Sequence, residues 1–240
     1  MQLPDQMSER NRLLGALSAD DYRWIQPHLE TVEMKAGDVL ADENQPFTHV
    51  YFMGTGVASI TNRVAGGTVE VGTVGNEGLV GLGVYLDGGG IPSRTFVQVP
   101  GSGKRMLAAA FAAGAEERPA LQKILRRYVQ AYLIQVAQTA ACNRAHSVDK
   151  RCARWLLMTH DRVGGGHTFP LTHQFLAYML GVRRAGVTVA AGILQKAGLI
   201  HYTRGSITIS DRKGLEEAAC ECYGIVAHHV DRLTSPRTGE

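Results

Sequence analysis

The chain runs LTHQFLAYMLGVRR over residues 171–184 and AGVTVAAGILQKAGLI over residues 185–200. Apolar residues recur at helical spacing on both sides of Gly181-Val182, which predicts a helix, a short turn and a second helix. Thr172 stands where an N-cap hydroxyl takes a free amide of the first turn. Leu176, Ala177 and Leu180 form the inner face of the first helix, with small Ala177 where two helices cross closely. Gly181 occupies the turn, where a positive φ costs it least, and Val182 tucks in behind. The second helix buries Val187, Leu194 and either Ala190 or Ala191, and leaves Arg183, Arg184, Thr188 and Gln195 outside. After Gly198, LIHYT (199–203) and SITIS (206–210) flank Arg204-Gly205 and read as a two-stranded hairpin.

A helix offered beside such a hairpin suits the major groove of duplex DNA, where side chains of its first turns meet base edges. Arg183, Arg184 and Thr188 are the expected base contacts; an arginine bonded twice to guanine is worth roughly 1–3 kcal/mol of discrimination. Thr172, His173 and Gln174 at the start of the first helix, with Arg204 in the hairpin, are the expected phosphate contacts. Gly186 and Gly192 are unusual in such a helix, each costing on the order of 1 kcal/mol relative to alanine.

Charge supports a polyanionic partner. The net charge is only +3 and the pI about 8.7. Between positions 150 and 213, however, Lys150, Arg151, Arg154, Arg162, Arg183, Arg184, Lys196, Arg204, Arg212 and Lys213 face only Asp161 and Asp211. A solvated face with no ligand gives the same pattern, so charge alone leaves both readings open.

Upstream, residues from about Ser147 to Arg162 carry a helix with Val148, Cys152, Trp155, Leu156, Leu157 and Met158 among its apolar positions, ending at Gly164-Gly165-Gly166. A longer helix spans about 116–143, with Pro119 in its first turn. Leu121, Leu125, Tyr128, Tyr132, Gln135 and Thr139 make one stripe, and Ile124, Val129, Leu133 and Val136 a second. One stripe suits the preceding domain and the other an identical helix of a second subunit. From Thr31 to Leu107 short β-type runs alternate with glycines: 31–34, 50–53, 57–61, 68–74, 95–99 and 104–107. That texture predicts a small antiparallel barrel or jelly roll. Residues 8–30 read as a helical lead.

The expected fold class is α+β. Residues 1–115 form a β-roll sensor domain, 116–146 a dimerisation and coupling helix, 147–225 a winged helix-turn-helix and 226–240 a C-terminal tail. At 240 residues and 45% apolar composition, either one large domain or two modest ones can bury a core. No apolar leader follows Met1 and no run of about 18 apolar residues occurs, so the expected location is cytoplasmic, with no membrane partner.

With these elements in this order, the chain resembles the Crp/Fnr family of bacterial transcription regulators over nearly its whole length. The most specific piece is LTHQFLAYMLGVRR, which is similar to the family's DNA-binding signature. KAGDVL at 35–40, VYF at 50–52 and Gly54 to Gly56 resemble its β-domain. The resemblance implies a homodimer on a two-fold-symmetric operator, RNA polymerase as a protein partner, and an effector site between the β-roll and the long helix. The family's cyclic-nucleotide binders grip their ligand with a Gly-Glu turn and an Arg-Ser pair. Here Gly75-Asn76-Glu77-Gly78 resembles the turn loosely, while the later pair reads Ser93-Arg94-Thr95. The candidate effector residues are therefore Gly75, Glu77, Gly78, Arg94 and Thr95, with the effector unassigned and cyclic AMP disfavoured. Ala185 and Val189 replace the glutamate and arginine common in the family's recognition helix, so its operator sequence does not carry over.

No cofactor or metal is expected. The first cysteine is Cys142, too late for the family's iron–sulfur branch, and Cys220 and Cys222 on one helix point to different faces. Histidines at 146, 160, 167, 173, 201, 228 and 229 form no catalytic motif, so an enzyme is not expected. The alternative reading is a protein-contact regulator whose sensor domain has no ligand.

Overall fold

The computed structural model describes residues 4–65, 67–86, 89–164, 166–203 and 205–234. Arg204, an expected phosphate contact, lies outside them.

The lead is three short helices, α1 (Pro4–Met7), α2 (Arg12–Gly15) and α3 (Ala19–Ile25), followed by a 3-10 turn. Asn11 and Ser18 cap α2 and α3 through their side chains. The β-domain comprises β1 (Glu30–Met34), β2 (Val39–Ala41), β3 (His49–Met53), β4 (Val57–Val64), β5 (Gly67–Val74), β6 (Leu79–Val80), α4 (Leu82–Leu86), β7 (Arg94–Val99) and β8 (Gly101–Leu107). Two four-stranded antiparallel sheets result, ordered β1-β8-β3-β6 and β2-β7-β4-β5. Met34, Leu40, Met53, Ala58, Val74, Val80 and Val97 fill the space between them. This is the expected β-roll; β2 and β6 were too short to show a period-two signal.

Two helices follow instead of one. The alanine-rich α5 (Ala108–Glu117) packs on the β-domain through Phe111 and Ala115. Arg118 then turns extended, at φ −119° and ψ 96°, as the residue before Pro119 must. From Pro119 the long α6 runs to Ala145. Leu121, Leu125, Tyr128 and Gln135 face inward as expected, but so does Ile124, which was assigned to the second stripe. Of that stripe, Val129 and Val136 are half-buried and Leu133 is 61% exposed.

The C-terminal domain comprises α7 (Val148–Arg162), β9 (Thr168–Pro170), α8 (His173–Leu180), α9 (Arg184–Lys196), β10 (Ile200–Thr203), β11 (Ser206–Ile209), α10 (Arg212–Ala218) and α11 (Cys222–Thr234). The expected hairpin is β10 on β11, and β9 adds a third strand. Its core joins Leu156, Leu157, Leu176, Leu180, Val187, Leu194, Ile207 and Leu215 with Val57 and Val99 of the β-domain. The segment expected as a tail from residue 226 is helical to Thr234, and Leu233 is buried beside Leu13 and Leu14. The helix packs chiefly on α6, with α7 and α2 of the lead also against it.

Candidate nucleic-acid interface

Thr172 caps α8, its hydroxyl accepting from Phe175 N at 3.1 Å. Gly181 ends that helix in the left-handed region at φ +59°, and Val182 N closes the turn on Ala177 O at 3.1 Å. The axes of α8 and α9 bend by 103°, a helix-turn-helix geometry. Val187, Ala190, Ala191 and Leu194 anchor α9 in the core. Arg183, Arg184, Ala185, Thr188, Val189, Gly192 and Ile193 lie on its exposed side. A Cβ on Gly186 meets only Val182 at ordinary distance, and one on Gly192 meets nothing within 4 Å, so internal packing demands neither glycine.

The expected phosphate set divides. The Thr172 hydroxyl is engaged as a cap. The His173 ring stacks on Tyr202 at 4.2 Å, and its Nδ1 lies 3.2 Å from the Thr188 hydroxyl, so this histidine ties α8 to α9 and the hairpin. Burial, with the nearby Arg184 charge, lowers its pKa. Thr188 also donates to Arg184 O at 3.1 Å. Gln174 is exposed at the start of α8. Gln195 accepts from Tyr202 N at 2.8 Å and fixes the hairpin to α9.

The basic excess is smaller at the surface than in the sequence. Arg154 and Arg162 are buried, and Arg212 pairs with Asp161 at 2.8 Å and Glu216 at 3.0 Å. Arg162 points into the β-domain. Its Nε donates to Glu77 Oε1 at 2.9 Å, one terminal nitrogen to Gln135 Oε1 at 2.8 Å and the other to Met158 O at 2.8 Å. Gln135 passes the connection to Thr73 O at 2.9 Å. A Cβ on Gly75 would sit 2.5 Å from the Arg162 Cβ, so that glycine makes room for the arginine.

The effector candidates are thus placed apart. Gly75, Glu77 and Gly78 form the β5–β6 turn beneath α6 and α7, with Gly78 against the Tyr128 ring. Thr95 is buried in β7. Arg94 is 3.6 Å from Asp42 and lines an open cleft of about 610 Å³ with Arg63, Phe96, Phe175 and Tyr178, a cleft whose lining does not include Glu77.

A second buried polar group joins the domains. Trp155 Nε1 donates to Glu70 Oε1 at 2.9 Å, and Ser59 donates to the other carboxylate oxygen at 2.5 Å. Burial nevertheless pushes the Glu70 carboxyl up to about 7, against the pull of those hydrogen bonds and of Arg154 and Arg162. Glu70, Gln135 and Arg162 escaped sequence reasoning as a group; the one available signal was Gln135, a polar residue inside an otherwise apolar stripe.

Residues 150–218 match the Crp-like helix-turn-helix domain. Solved structures share this fold over most of the chain. FixK2 from Bradyrhizobium japonicum is 14% identical, with a TM-score of 0.67 over 80% of this chain and 98% of that one. A transcriptional regulator of the crp/fnr family from Eubacterium rectale is 19% identical, with a TM-score of 0.64 over 86% and 96%. The chain shares the fold of these Crp/Fnr-type structures and carries a Crp-like helix-turn-helix domain at residues 150–218. The c-di-GMP responsive global regulator CLP of Xanthomonas campestris is similar at 15% identity, with a TM-score of 0.64 over 80% and 99%. No curated protein matches the chain by sequence. Among the described residues, no single helix is long and apolar enough to cross a membrane.

Proposed function

We propose that this Crp/Fnr-type transcription regulator reads a two-fold-symmetric DNA operator as a homodimer, with α9 in the major groove. The observation that carries the reading is the outer face of α9, exposed from Arg183 to Ile193 beside the β10–β11 hairpin. Arg183 and Arg184 at its N-terminal end reach base edges, with Thr188 next along the helix, and Val189 and Ile193 offer apolar contact to thymine methyls. Gln174, Arg204 and the polar start of α8 hold phosphates, which sets register. Residues 1–115 act as sensor, 116–146 as coupling and dimerisation helix and 147–225 as reader, in the cytoplasm with RNA polymerase as protein partner. The half-buried Val129 and Val136 and exposed Leu133 supply the helix face for a second subunit.

Salt titration of duplex binding tests this. Each phosphate contact lowers log K by about 0.9 per log unit of salt, so Arg184→Ala is expected to weaken binding and leave a shallower slope if it also touches phosphate. Salt-independent binding unaffected by Arg183→Ala and Arg184→Ala contradicts the reading.

One observation favours a sensor domain without a small ligand. Glu77, the candidate effector carboxylate, is already bonded to Arg162, so an effector arriving there has to displace an arginine of the reading domain. Such displacement is also the simplest gate, because it removes one of the two buried polar ties between α7 and the β-domain.

A further inference from the structure

Cys142 lies in the last turn of α6, and His146, four residues on, is the extended C-cap residue just past the end of that helix. Cys220 is not on a helix with Cys222, as sequence had suggested. It sits in the bend between α10 and α11, and Cys222 begins α11. The bend turns both thiols the same way, toward α6. Cys142 Sγ and Cys220 Sγ are 3.5 Å apart, and Cys222 Sγ is 3.6 Å from His146 Nδ1. The four ligand atoms all lie within 4.8 Å of one another.

We propose that Cys142, His146, Cys220 and Cys222 hold a single structural zinc ion. Zinc bonds of about 2.3 Å to sulfur and about 2.0–2.1 Å to nitrogen, at tetrahedral angles, place sulfurs about 3.8 Å apart and sulfur and nitrogen about 3.5 Å apart. The Cys142–Cys220 and Cys222–His146 separations lie within about 0.3 Å of those values, and the widest closes by about 1 Å on binding. An iron–sulfur cluster inserts its own irons and sulfides between the thiolates and needs a wider set. Soft thiolates with imidazole select zinc over magnesium or calcium.

The surroundings fit a ligand set. His146 Nε2 lies 3.2 Å from Glu221 Oε1, the carboxylate contact that orients a metal-bound imidazole and fixes its tautomer. Gln138 Nε2 donates to Cys222 Sγ at 3.1 Å. The three cysteines are 0%, 5% and 1% exposed, which shields the bonds from exchange. Arg154 stands near enough to favour negative charge on Cys142, against burial that raises both Cys142 and Cys220. Zinc binds cysteine as thiolate, so ligation releases the thiol protons to solvent. The site ties the end of the long helix to the bend that follows the winged domain, and so fixes α11 along α6.

The test uses the full chain, purified under reducing conditions without chelators. Native mass spectrometry is expected to show one zinc per chain. Exchange for cobalt is expected to give thiolate-to-cobalt charge-transfer bands and the intense visible bands of a tetrahedral ion. Under competition with a chromophoric chelator, His146→Ala and Cys220→Ser lose the metal, Glu221→Gln holds it about 10-fold more weakly, and Cys152→Ser, whose thiol lies elsewhere in the core, binds as the wild type does. If a ligand variant fails to fold by circular dichroism, the cobalt spectrum of the wild type decides, since it reports coordinated sulfur directly. Sub-stoichiometric zinc, a cobalt spectrum without thiolate bands, a Cys142–Cys220 disulfide in place of metal, or unchanged affinity in folded His146→Ala and Cys220→Ser overturns the proposal.

Discussion

The Arg162 guanidinium, carried by the last turn of α7, bonds Glu77 in the β5–β6 turn at 2.9 Å with both side chains 6% exposed. A buried pair of this kind spans the two domains and couples the position of α7 to the β-roll. Its Coulombic gain is offset by the desolvation of both ions, so it specifies an arrangement more than it adds stability.

Breaking the pair from one side leaves a buried charge unpartnered. Arg162→Met is expected to destabilise the chain by about 3–5 kcal/mol in urea unfolding, and Glu77→Gln in Arg162→Met is expected to recover part of the loss. Strictly additive losses would show that the two residues do not interact.

Glu70 gives the domain junction a pH dependence. Its folded pKa of about 7 lies above its ordinary 4.5, so the folded state binds the proton more tightly than the unfolded state. The associated stability is full below about pH 4.5 and is lost as pH rises through about 7, by at most about 3 kcal/mol. Glu70→Gln is therefore expected to match the wild type near pH 5 and to exceed it in melting temperature at pH 8. Equal pH profiles for the two proteins would remove Glu70 as the cause.

The two faces of α6 separate experimentally. Leu125 is fully buried, and Leu125→Ala is expected to cost about 2–5 kcal/mol without altering association. Leu133 is 61% exposed, and Leu133→Glu is expected to give a folded monomer in sedimentation analysis. A dimer that survives Leu133→Glu would place the subunit contact elsewhere.

Val189 is 64% and Ile193 52% exposed on the reading face. If they meet thymine methyls, replacing the relevant thymines by uracil weakens wild-type binding by on the order of 1 kcal/mol per methyl, and Val189→Ala becomes less sensitive to that change. An indifferent wild type would leave readout to Arg183 and Arg184.

The sequence was most legible where local rules act alone. The Thr172 cap, the Gly181 turn and the Pro119 start of α6 follow from side-chain hydrogen bonding and backbone sterics, and each stands where expected. Ile124 shows the limit of a periodic stripe: helical spacing places it on a face, but the position of the neighbouring β-domain decides whether that face is covered. Arg162 shows the limit of charge counting, because a basic residue near a DNA-reading motif turns inward once a buried Glu77 awaits it. Cys142 and Cys220 are 78 positions apart and meet only through the packing of α11 on α6, which no local pattern encodes.

The most direct measurement is selection from a random-duplex library at two salt concentrations, with the Arg183→Ala, Arg184→Ala double variant alongside. The account predicts enrichment of a two-fold-symmetric motif by the wild type and its loss in the variant. An asymmetric motif, or the same motif enriched equally by the variant, would contradict dimeric reading through α9.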